Sequence, residues 1–328
     1  MKVIIRTDAS IEIGSGHVMR CLTIAGALRE RGCHVLFMMN ELPGNLIGLV
    51  QSKGFEVVHD FQPADLCIID HYGIDERWEQ SIRPFVNKIA VIDDLADRQH
   101  DCNLLLDQNT VPDFEARYDI LVPSHCMKLL GPRYLIMRDE FVRERQQMRE
   151  RDGTVGRLLI FMGGTDPTNE TLKVLRALQK TNVTFPHIDV VVGAGNPSRI
   201  EIEKICLHEG FHFHCQIDYM ASLMAQADFA IGAGGSATWE RCYVGLPSLS
   251  TIVAENQIVA TETAASLGAV LNTGWHEKVT VETYLQLLEA LSNRQKELQE
   301  MSLNGLKLTG SPEGPNLWIK KIMELMQE

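Results

Sequence analysis

Short apolar runs alternate with amphipathic stretches along most of this chain. The first half holds five short runs with an apolar centre: KVIIR (2–6), HVLFMM (34–39), DLCIIDHY (65–72), KIAVIDDL (88–95) and CNLLLDQN (102–109). Between them, stretches such as 17–32 repeat apolar residues at helical spacing, and Gly32 is a typical helix-ending glycine. Strands that are apolar on both faces and separated by helices predict a parallel sheet covered on both sides.

The same alternation begins again in the second half. Its strand-like runs are RLLIFMGG (157–164), HIDVVVGAG (187–195), FHFHC (211–215), FAIGAGG (229–235), PSLST (247–251) and AVLNT (269–273). A length of 328 residues also favours two domains. We therefore predict an α/β protein with two Rossmann-like parallel-sheet domains, at 1–148 and 157–310. The charged stretch 141–156 predicts a linker between them, and 311–328 predicts a terminal amphipathic helix.

The charge and the cysteines narrow the class of protein. With 31 basic and 43 acidic side chains the formal net charge is −12, which argues against nucleic acid or an anionic membrane as the main partner. The eight cysteines are scattered and form no CxxC pair, as expected for reduced thiols in a cytosolic protein. No apolar run has the length of a membrane span, and the N-terminal run is too short for a signal peptide. We expect a cytoplasmic protein.

The stretch IEIGSGHVMRC (11–21) lies between the first strand and the first helix. Gly14 and Gly16 resemble the start of a dinucleotide fingerprint, but Met19 occupies the third glycine position, which disfavours NAD. The glycines let a ligand approach the backbone, and the helix N-terminus disfavours a charged imidazole at His17. We therefore predict a functional His17; the alternative is a capping or packed histidine. Asp8 ends the same strand and either orients the His17 ring or serves the turn.

The stretch AIGAGGSATWERCYVGLPSLS (230–250) has the strongest ligand-binding pattern. Gly234, Gly235 and Ser236 place amides and a hydroxyl at a helix N-terminus, which suits an anion. Glu240 follows one helical turn later and suits the two hydroxyls of a ribose. The alternative is a capped helix in which the glutamate only favours the helix dipole.

Two further strand ends repeat this pattern. In FMGGTDPTN (161–169), Gly163 and Gly164 follow a strand of the same sheet, so the two glycine turns are predicted to form opposite walls of one diphosphate pocket. In AENQ (254–257), Asn256 and Gln257 suit sugar hydroxyl or acetamido groups. The alternative for Asn256 is a simple helix N-cap.

Weaker signals come from strand ends of the first domain and from one histidine pair. Tyr72, Asp70 and Asp94 end strands and are expected to border the ligand cleft. His212 and His214 share a strand face but lack enough further ligands for a metal site. No D-x-D pair is present to hold a divalent cation for a nucleotide sugar. We therefore expect no metal and no cofactor.

Four motifs together resemble one enzyme family. They are RTDASIEIGSGHVMRCLTIAGAL, MGGTDPTN, GAGGSATWERCYVGLPSL and ENQ, which occur in this order over nearly the whole chain. They resemble the UDP-sugar hydrolases of pseudaminic acid biosynthesis, which are related to the peptidoglycan UDP-N-acetylglucosamine transferase. This resemblance implies a GT-B architecture, with two Rossmann-like domains facing across a cleft and a C-terminal helix that crosses back to the first domain.

The resemblance also implies a reaction and roles for individual residues. The reaction is metal-independent hydrolysis of UDP-2,4-diacetamido-2,4,6-trideoxy-β-L-altropyranose, with C1–O cleavage and inversion. His17 would be the general base, and Glu240 would bind the ribose. Predicted nucleotide contacts are Gly163, Gly164, Gly234, Gly235, Ser236 and Glu240. Predicted substrate contacts are Gly14, Gly16, Arg20, Asp8, Tyr72, Asn169, Asn256 and Gln257.

Other functions fit parts of the same pattern. A GT-B glycosyltransferase would pass the sugar to an acceptor other than water, and a UDP-sugar epimerase would return an isomeric sugar. A nucleotide-sugar sensor would keep the glycine turns and Glu240 but would not need His17. The partner we expect is a UDP-linked diacetamido sugar, bound by a monomer.

Overall fold

The computed structural model describes residues 1–310 and 314–327, and the chain divides into two compact units. The first unit contains residues 1–137 and the described part of the C-terminal segment, and the second contains 138–310. The part of the predicted terminal helix at 311–313 and 328 lies outside the described residues. Within the described residues, every helix is too short or too polar to cross a membrane.

The first unit is built on one seven-stranded sheet. Its strands are β1 (Lys2–Thr7), β2 (His34–Met38), β3 (Glu56–Val58), β4 (Ala64–Asp70), β5 (Val86–Ile92), β6 (Leu104–Asp107) and β7 (Met127–Leu130). Its helices are α1 (Gly16–Glu30), α2 (Ile47–Ser52), α3 (Glu76–Ile82) and, from the end of the chain, α12 (Leu317–Leu325). All neighbouring strands are parallel, in the order β3-β2-β1-β4-β5-β6-β7.

The apolar runs form the core of this unit, as expected for strands covered on both faces. Val3 and Ile5 lie in one cluster with the apolar face of α1. Helix α12 packs against α1 and β6, and its Trp318 is fully buried in the same cluster. Gly32 ends α1 with a φ of +80°, so the predicted helix stop is confirmed.

The second unit is built on a six-stranded parallel sheet. Its strands are β8 (Arg157–Phe161), β9 (His187–Val192), β10 (His212–Cys215), β11 (Phe229–Ala233), β12 (Ser248–Ile252) and β13 (Leu271–Trp275). Its helices are α4 (Asp139–Gln146), α5 (Glu170–Leu178), α6 (Arg199–Glu209), α7 (Met220–Gln226), α8 (Ser236–Tyr243), α9 (Ile258–Ser266), α10 (Val281–Ala290) and α11 (Gln295–Leu308). The strand order is β10-β9-β8-β11-β12-β13. The predicted α/β class with two parallel sheets is confirmed.

The charged stretch 141–156 differs from the linker that its composition predicts. Its first part belongs to helix α4, which packs on α7 and α8, and the unit boundary falls between Met137 and Arg138. Arg145 and Arg151 donate to backbone carbonyls near the C-terminal ends of α7, α8 and α11. Helix ends leave such carbonyls without intrahelical partners, so these arginines anchor the segment rather than keeping it solvated.

Both sheets have a topological switch point, where successive strands are added on opposite sides. In the first unit it lies between β1 and β4, and in the second between β8 and β11. Ligands of open α/β sheets bind at the carboxyl ends of the strands at such points. Each unit therefore has one favoured place for a ligand.

Candidate functional site

The loop after β1 carries His17 to the switch point of the first unit. Gly14 has a φ of +80°, and its amide donates to the Ser10 carbonyl at 2.8 Å, which closes a tight turn before α1. Gly16 begins the helix, so His17 lies in its first turn, where the sequence places it. Thr7, the last residue of β1, pairs with Asp70 of β4 at the same edge.

His17 is a buried imidazole with an unusual set of neighbours. It is 8% exposed, and its Nδ1 has no hydrogen-bond partner among the described residues. Its ring meets the ring of Tyr72 edge to face, with 4.5 Å between the centroids. Burial lowers the pKa of His17 below its ordinary value of 6.5, although Asp70 acts in the opposite direction. The side chain is therefore neutral at pH 7 and can accept a proton.

A charged network lies beside this imidazole. Arg20 donates to both oxygens of Asp70, with Nε–Oδ2 at 2.9 Å and Nη2–Oδ1 at 2.7 Å. The Nη1 of Arg20 is 4.0 Å from Asp94, and the Tyr72 hydroxyl donates to the same Asp94 carboxylate. Burial raises the pKa of Asp94, and Arg20 opposes that shift. The structure thus brings together the predicted His17, Arg20 and Tyr72 with the strand-end carboxylates.

Asp8 does not orient the His17 ring. Its carboxylate accepts from Arg6 Nη2 at 2.7 Å and from the Asn40 amide at 2.7 Å, and it lies 3.3 Å from His71 Nε2. Burial alone would raise the pKa of Asp8, but the hydrogen bonds from His71 and Arg6 lower it well below its usual range. The aspartate therefore joins the end of β1 to the loop after β2.

The two glycine turns of the second unit lie on adjacent strands. β8 and β11 pair in parallel with Phe161 opposite Gly232, so the turns that follow them leave the same edge of the sheet at its switch point. Gly163 and Gly235 have φ angles of +91° and +89°, which other residues rarely adopt. Ser236 is exposed at the first position of α8.

Gly234 has little room for a side chain. A Cβ on Gly234 would lie 2.7 Å from Thr261 Oγ1 and 2.9 Å from Gln257 Oε1. Gln257 also accepts from the Val253 amide at 3.1 Å, so its side chain is held against the turn. The predicted Gln257 and the glycine turn are therefore neighbours in the structure.

Glu240 has a partner that the sequence did not reveal. Its Oε1 accepts from Nε of Arg138 at 3.1 Å and from Nη2 at 3.0 Å. Both of these hydrogen bonds go to the same carboxylate oxygen. Arg138 also lies 2.5 Å from Glu140, which is partly buried with it. The arginine thus holds Glu240 through Oε1.

Asn169 lies in the loop after β8, where its backbone conformation and its side chain are both fixed. Asn169 has a left-handed φ of +57°, and its Oδ1 accepts from the Ser198 hydroxyl at 2.6 Å. Asp166 supplies the cap of α5, since its carboxylate accepts from the amides of Glu170 and Thr171. Gly193, on the next loop, lies so close that a Cβ there would be 2.5 Å from the Gly164 carbonyl oxygen.

Asn256 lies in the short 3-10 turn Glu255–Gln257 that follows β12. The residue that caps α9 is Gln257, and its side chain makes no cap hydrogen bond. The alternative of a simple N-cap at Asn256 therefore has no support from the helix geometry.

Comparisons with known proteins identify relatives of the chain. No protein-family model matches the chain. The UDP-2,4-diacetamido-2,4,6-trideoxy-beta-L-altropyranose hydrolase of Campylobacter jejuni is 30% identical over 244 residues, which are 72% of this chain and 86% of that protein. The chain belongs to the family of this hydrolase.

Two further relatives match the chain at lower identity. The spore coat polysaccharide biosynthesis protein SpsG of Bacillus subtilis is 27% identical over 305 residues, 87% of each chain. Protein MJ1062 of Methanocaldococcus jannaschii is 27% identical over 266 residues, 75% of this chain. The match spans only 54% of the length of the archaeal protein.

Solved structures show which fold the family has. MurG of Acinetobacter baumannii matches with a TM-score of 0.64 at 15% identity, covering 99% of both chains. The glycosyltransferase WaaG matches with a TM-score of 0.55 at 14% identity, again over 99% of both chains. HepE of Anabaena, solved with UDP and glucose, matches with a TM-score of 0.56 at 13% identity over the full length of both. These GT-B neighbours confirm the predicted GT-B fold class.

Proposed function

We propose that this protein hydrolyses a UDP-linked 2,4-diacetamido-2,4,6-trideoxy sugar to UDP and the free sugar. The related hydrolase of Campylobacter jejuni carries the altro sugar of this class in its name, and SpsG is named for polysaccharide biosynthesis. The observation that carries the proposal is His17, a buried and neutral imidazole at the switch point of the first sheet. We place the reaction in the cytoplasm, with UDP-sugar as the only partner.

In the proposed reaction, His17 is the general base. The imidazole takes a proton from water as the water oxygen bonds to C1 of the sugar, and the C1–O bond to the diphosphate breaks with its electron pair going to UDP. Attack from the side opposite the leaving group inverts C1. Positioned bases of this kind contribute about 10²–10⁴-fold to the rate.

The network around His17 supports the charge that this step creates. The carboxylates of Asp70 and Asp94 both favour the protonated imidazole, whereas Arg20 opposes it. Arg20 is itself bound to Asp70, so its guanidinium fixes the carboxylate and moderates its effect. The base is thus neutral before the reaction and stabilised as imidazolium during it.

We assign the nucleotide to the second unit. The backbone at Gly163–Gly164 and Gly234–Ser236 would receive the diphosphate, since amides and helix dipoles at strand ends stabilise the charge that develops on the leaving group. The Oε2 of Glu240 would accept a ribose hydroxyl while Arg138 holds Oε1. HepE, which shares the fold, was solved with UDP and glucose, which supports UDP as a ligand of this fold.

We assign the contacts with the sugar to the remaining predicted residues. Tyr72 lies against His17 and is the neighbour most able to orient the sugar ring beside the base. Asn256 and Gln257 offer neutral donors and acceptors that suit acetamido groups. Asn169 would contact the sugar from the loop after β8. Gly14 and Gly16 would leave space for the sugar beside His17.

An incubation without any acceptor tests the proposal against glycosyl transfer, which the GT-B neighbours also perform. A hydrolase releases free sugar in equal amount to UDP, whereas a transferase leaves the UDP-sugar intact and an epimerase returns an isomeric UDP-sugar. His17→Asn should lower turnover by about 10²–10⁴-fold and leave UDP affinity unchanged. The control His59→Asn changes an exposed histidine of the same unit and should leave turnover unchanged. Full turnover in His17→Asn would remove this residue from the reaction.

A further inference from the structure

Three histidines surround one aspartate at the amino-terminal edge of the second sheet. Asp189 of β9 lies opposite His212 of β10, and His187 lies two residues before Asp189 on the same strand face. His214 lies two residues after His212 on the adjacent strand. Sequence reasoning paired His212 only with His214, because the pairing of β9 with β10 is not visible in the sequence.

The distances within this cluster are short. His187 Nε2 is 3.1 Å from Asp189 Oδ1, and His214 Nε2 is 2.8 Å from the same oxygen. The rings of His187 and His212 stack with 4.0 Å between their centroids. Ligand atoms of His187, Asp189 and His212 all lie within 4.8 Å of one another.

We propose that His187, His212 and Asp189 bind one divalent transition-metal ion, of which Zn²⁺ is the best match. Two donors on a tetrahedral zinc ion, each about 2.0–2.1 Å from the metal, are separated by roughly 3.3 Å. The distance of 3.1 Å between His187 Nε2 and Asp189 Oδ1 is close to that spacing. Imidazole and carboxylate are ordinary zinc ligands, and water completes the fourth position.

The surrounding residues prepare the carboxylate for this role. Asp189 is buried, and Arg157 Nε donates to its Oδ2 at 2.8 Å, which leaves Oδ1 as the oxygen that meets the metal. His214 donates to Oδ1 and is itself within 3.0 Å of the Tyr219 hydroxyl through Nδ1. Partners of this kind orient ligands and increase metal affinity. His214 is therefore a positioning residue.

Metal binding requires one movement. The stacked rings of His187 and His212 are inclined by only 18°, so a single ion cannot lie in both ring planes. His212 is exposed, whereas His187 is partly buried and lies beside Asp189, so we place the movement at the His212 side chain. The exposed ring turns toward the ion while the other two ligands remain in place.

The ion would not take part in the proposed hydrolysis. The cluster lies at the start of β9 and β10, beside Arg157 at the start of β8, whereas the glycine turns lie at the carboxyl ends of β8 and β11. The inference therefore stands independently of the proposed function. Its expected consequence is stabilisation of the folded second unit by a ligand that the unfolded chain binds less well.

Titration of the full chain with Co²⁺ and with Zn²⁺ tests the inference. After treatment with a chelator, one Co²⁺ per chain should bind with visible d–d absorption and no thiolate charge-transfer band, and Zn²⁺ should displace it. His212→Ala should weaken binding by more than the ~10–100-fold that is typical of losing a partner that only orients a ligand. His214→Ala should weaken it by roughly 10-fold, because it removes such a partner.

The matched control is His208→Ala, which removes an exposed histidine on α6 outside the cluster. It should leave metal binding unchanged, and the melting temperature of the metal-free His208→Ala protein should equal that of the parent. Unchanged affinity in His212→Ala, a thiolate band from a cysteine site, or the absence of stoichiometric binding would each overturn the inference.

Discussion

Replacing Asp70 by Asn removes one negative charge from the centre of the first unit. Asp70 is 1% exposed, and both of its oxygens accept from Arg20, which is itself nearly enclosed. Asn has the same shape but only one acceptor oxygen and no charge. The substitution therefore leaves the Arg20 guanidinium buried with its closest counter-ion gone.

The size of the effect follows from the burial of the pair. Breaking a buried ion pair by removing one partner costs about 3–5 kcal/mol of unfolding free energy. Asp94 is 4.0 Å from Arg20 Nη1 and retains its charge, so we expect the lower end, ~3 kcal/mol. That corresponds to roughly 10²-fold faster hydrogen exchange in the most protected amides of the first sheet.

Asp70→Asn also changes the pKa of His17, the proposed general base. Asp70 raises the pKa of His17, so its loss lowers that pKa further and keeps the imidazole neutral to lower pH. The acid limb of kcat/KM should therefore move to lower pH. Turnover at pH 7 should fall, because the imidazolium formed in the reaction loses a counter-charge.

The assay is hydrogen exchange with mass spectrometry, read on peptides of β1 and β4, with β8 and β11 as the internal reference. Asp101→Asn is the matched control, because Arg83 contacts Asp101 in the same two-pronged manner at 3.0 and 3.1 Å, but the two side chains are 26% and 24% exposed. Exposed pairs contribute about 0–1 kcal/mol. Equal effects of the two substitutions, or an acid limb that moves to higher pH, would refute the reasoning.

Three further predictions concern the base, the ribose contact and the glycine turn. In the parent protein kcat/KM should stay high below pH 6.5 and fall only as the pH passes the lowered pKa of His17; a limb at or above 6.5 would contradict the burial argument. Glu240→Gln should weaken UDP binding by about 1.5–3 kcal/mol in calorimetry, whereas Glu140→Gln, at the same arginine, should leave it unchanged. Gly234→Ala should destabilise the second unit by about 1–3 kcal/mol and weaken UDP binding, because its Cβ would meet two side chains at 2.7 and 2.9 Å. The control Gly26→Ala lies in a helix with no atom within 4 Å of the new Cβ and should stabilise by about 0.5–1 kcal/mol.

Much of the fold can be predicted from the sequence, because strands and helix ends depend on residues that are close together in the chain. Runs that are apolar on both faces and glycines such as Gly32 mark strands and helix ends within a few residues. The segment 141–156 was misread because its arginines find backbone carbonyls distant in sequence. Charge composition does not distinguish solvated arginines from arginines that cap helix ends.

For the candidate site, the sequence predicts which strand-end residues lie near one another. Strand-end residues meet at one edge of a parallel sheet, so His17, Tyr72 and Asp70 could be grouped without a structure. Partners that depend on packing could not be predicted: Arg138 is 102 residues from Glu240 in sequence, yet holds its carboxylate. The sequence left two alternatives open for Asp8, orienting the His17 ring or serving the turn, because its partners Asn40 and His71 come from other loops.

The central claim is that this protein transfers the sugar to water with cleavage of the C1–O bond. Proton NMR of the reaction in H₂¹⁸O, with UDP-2,4-diacetamido-2,4,6-trideoxy-β-L-altropyranose and no acceptor, follows the anomeric signal, and mass spectrometry locates the ¹⁸O. The account predicts that the first sugar anomer to appear is inverted at C1 and that ¹⁸O is in the sugar and absent from UDP. Retention at C1, ¹⁸O in the UDP phosphate, or no free sugar would contradict it.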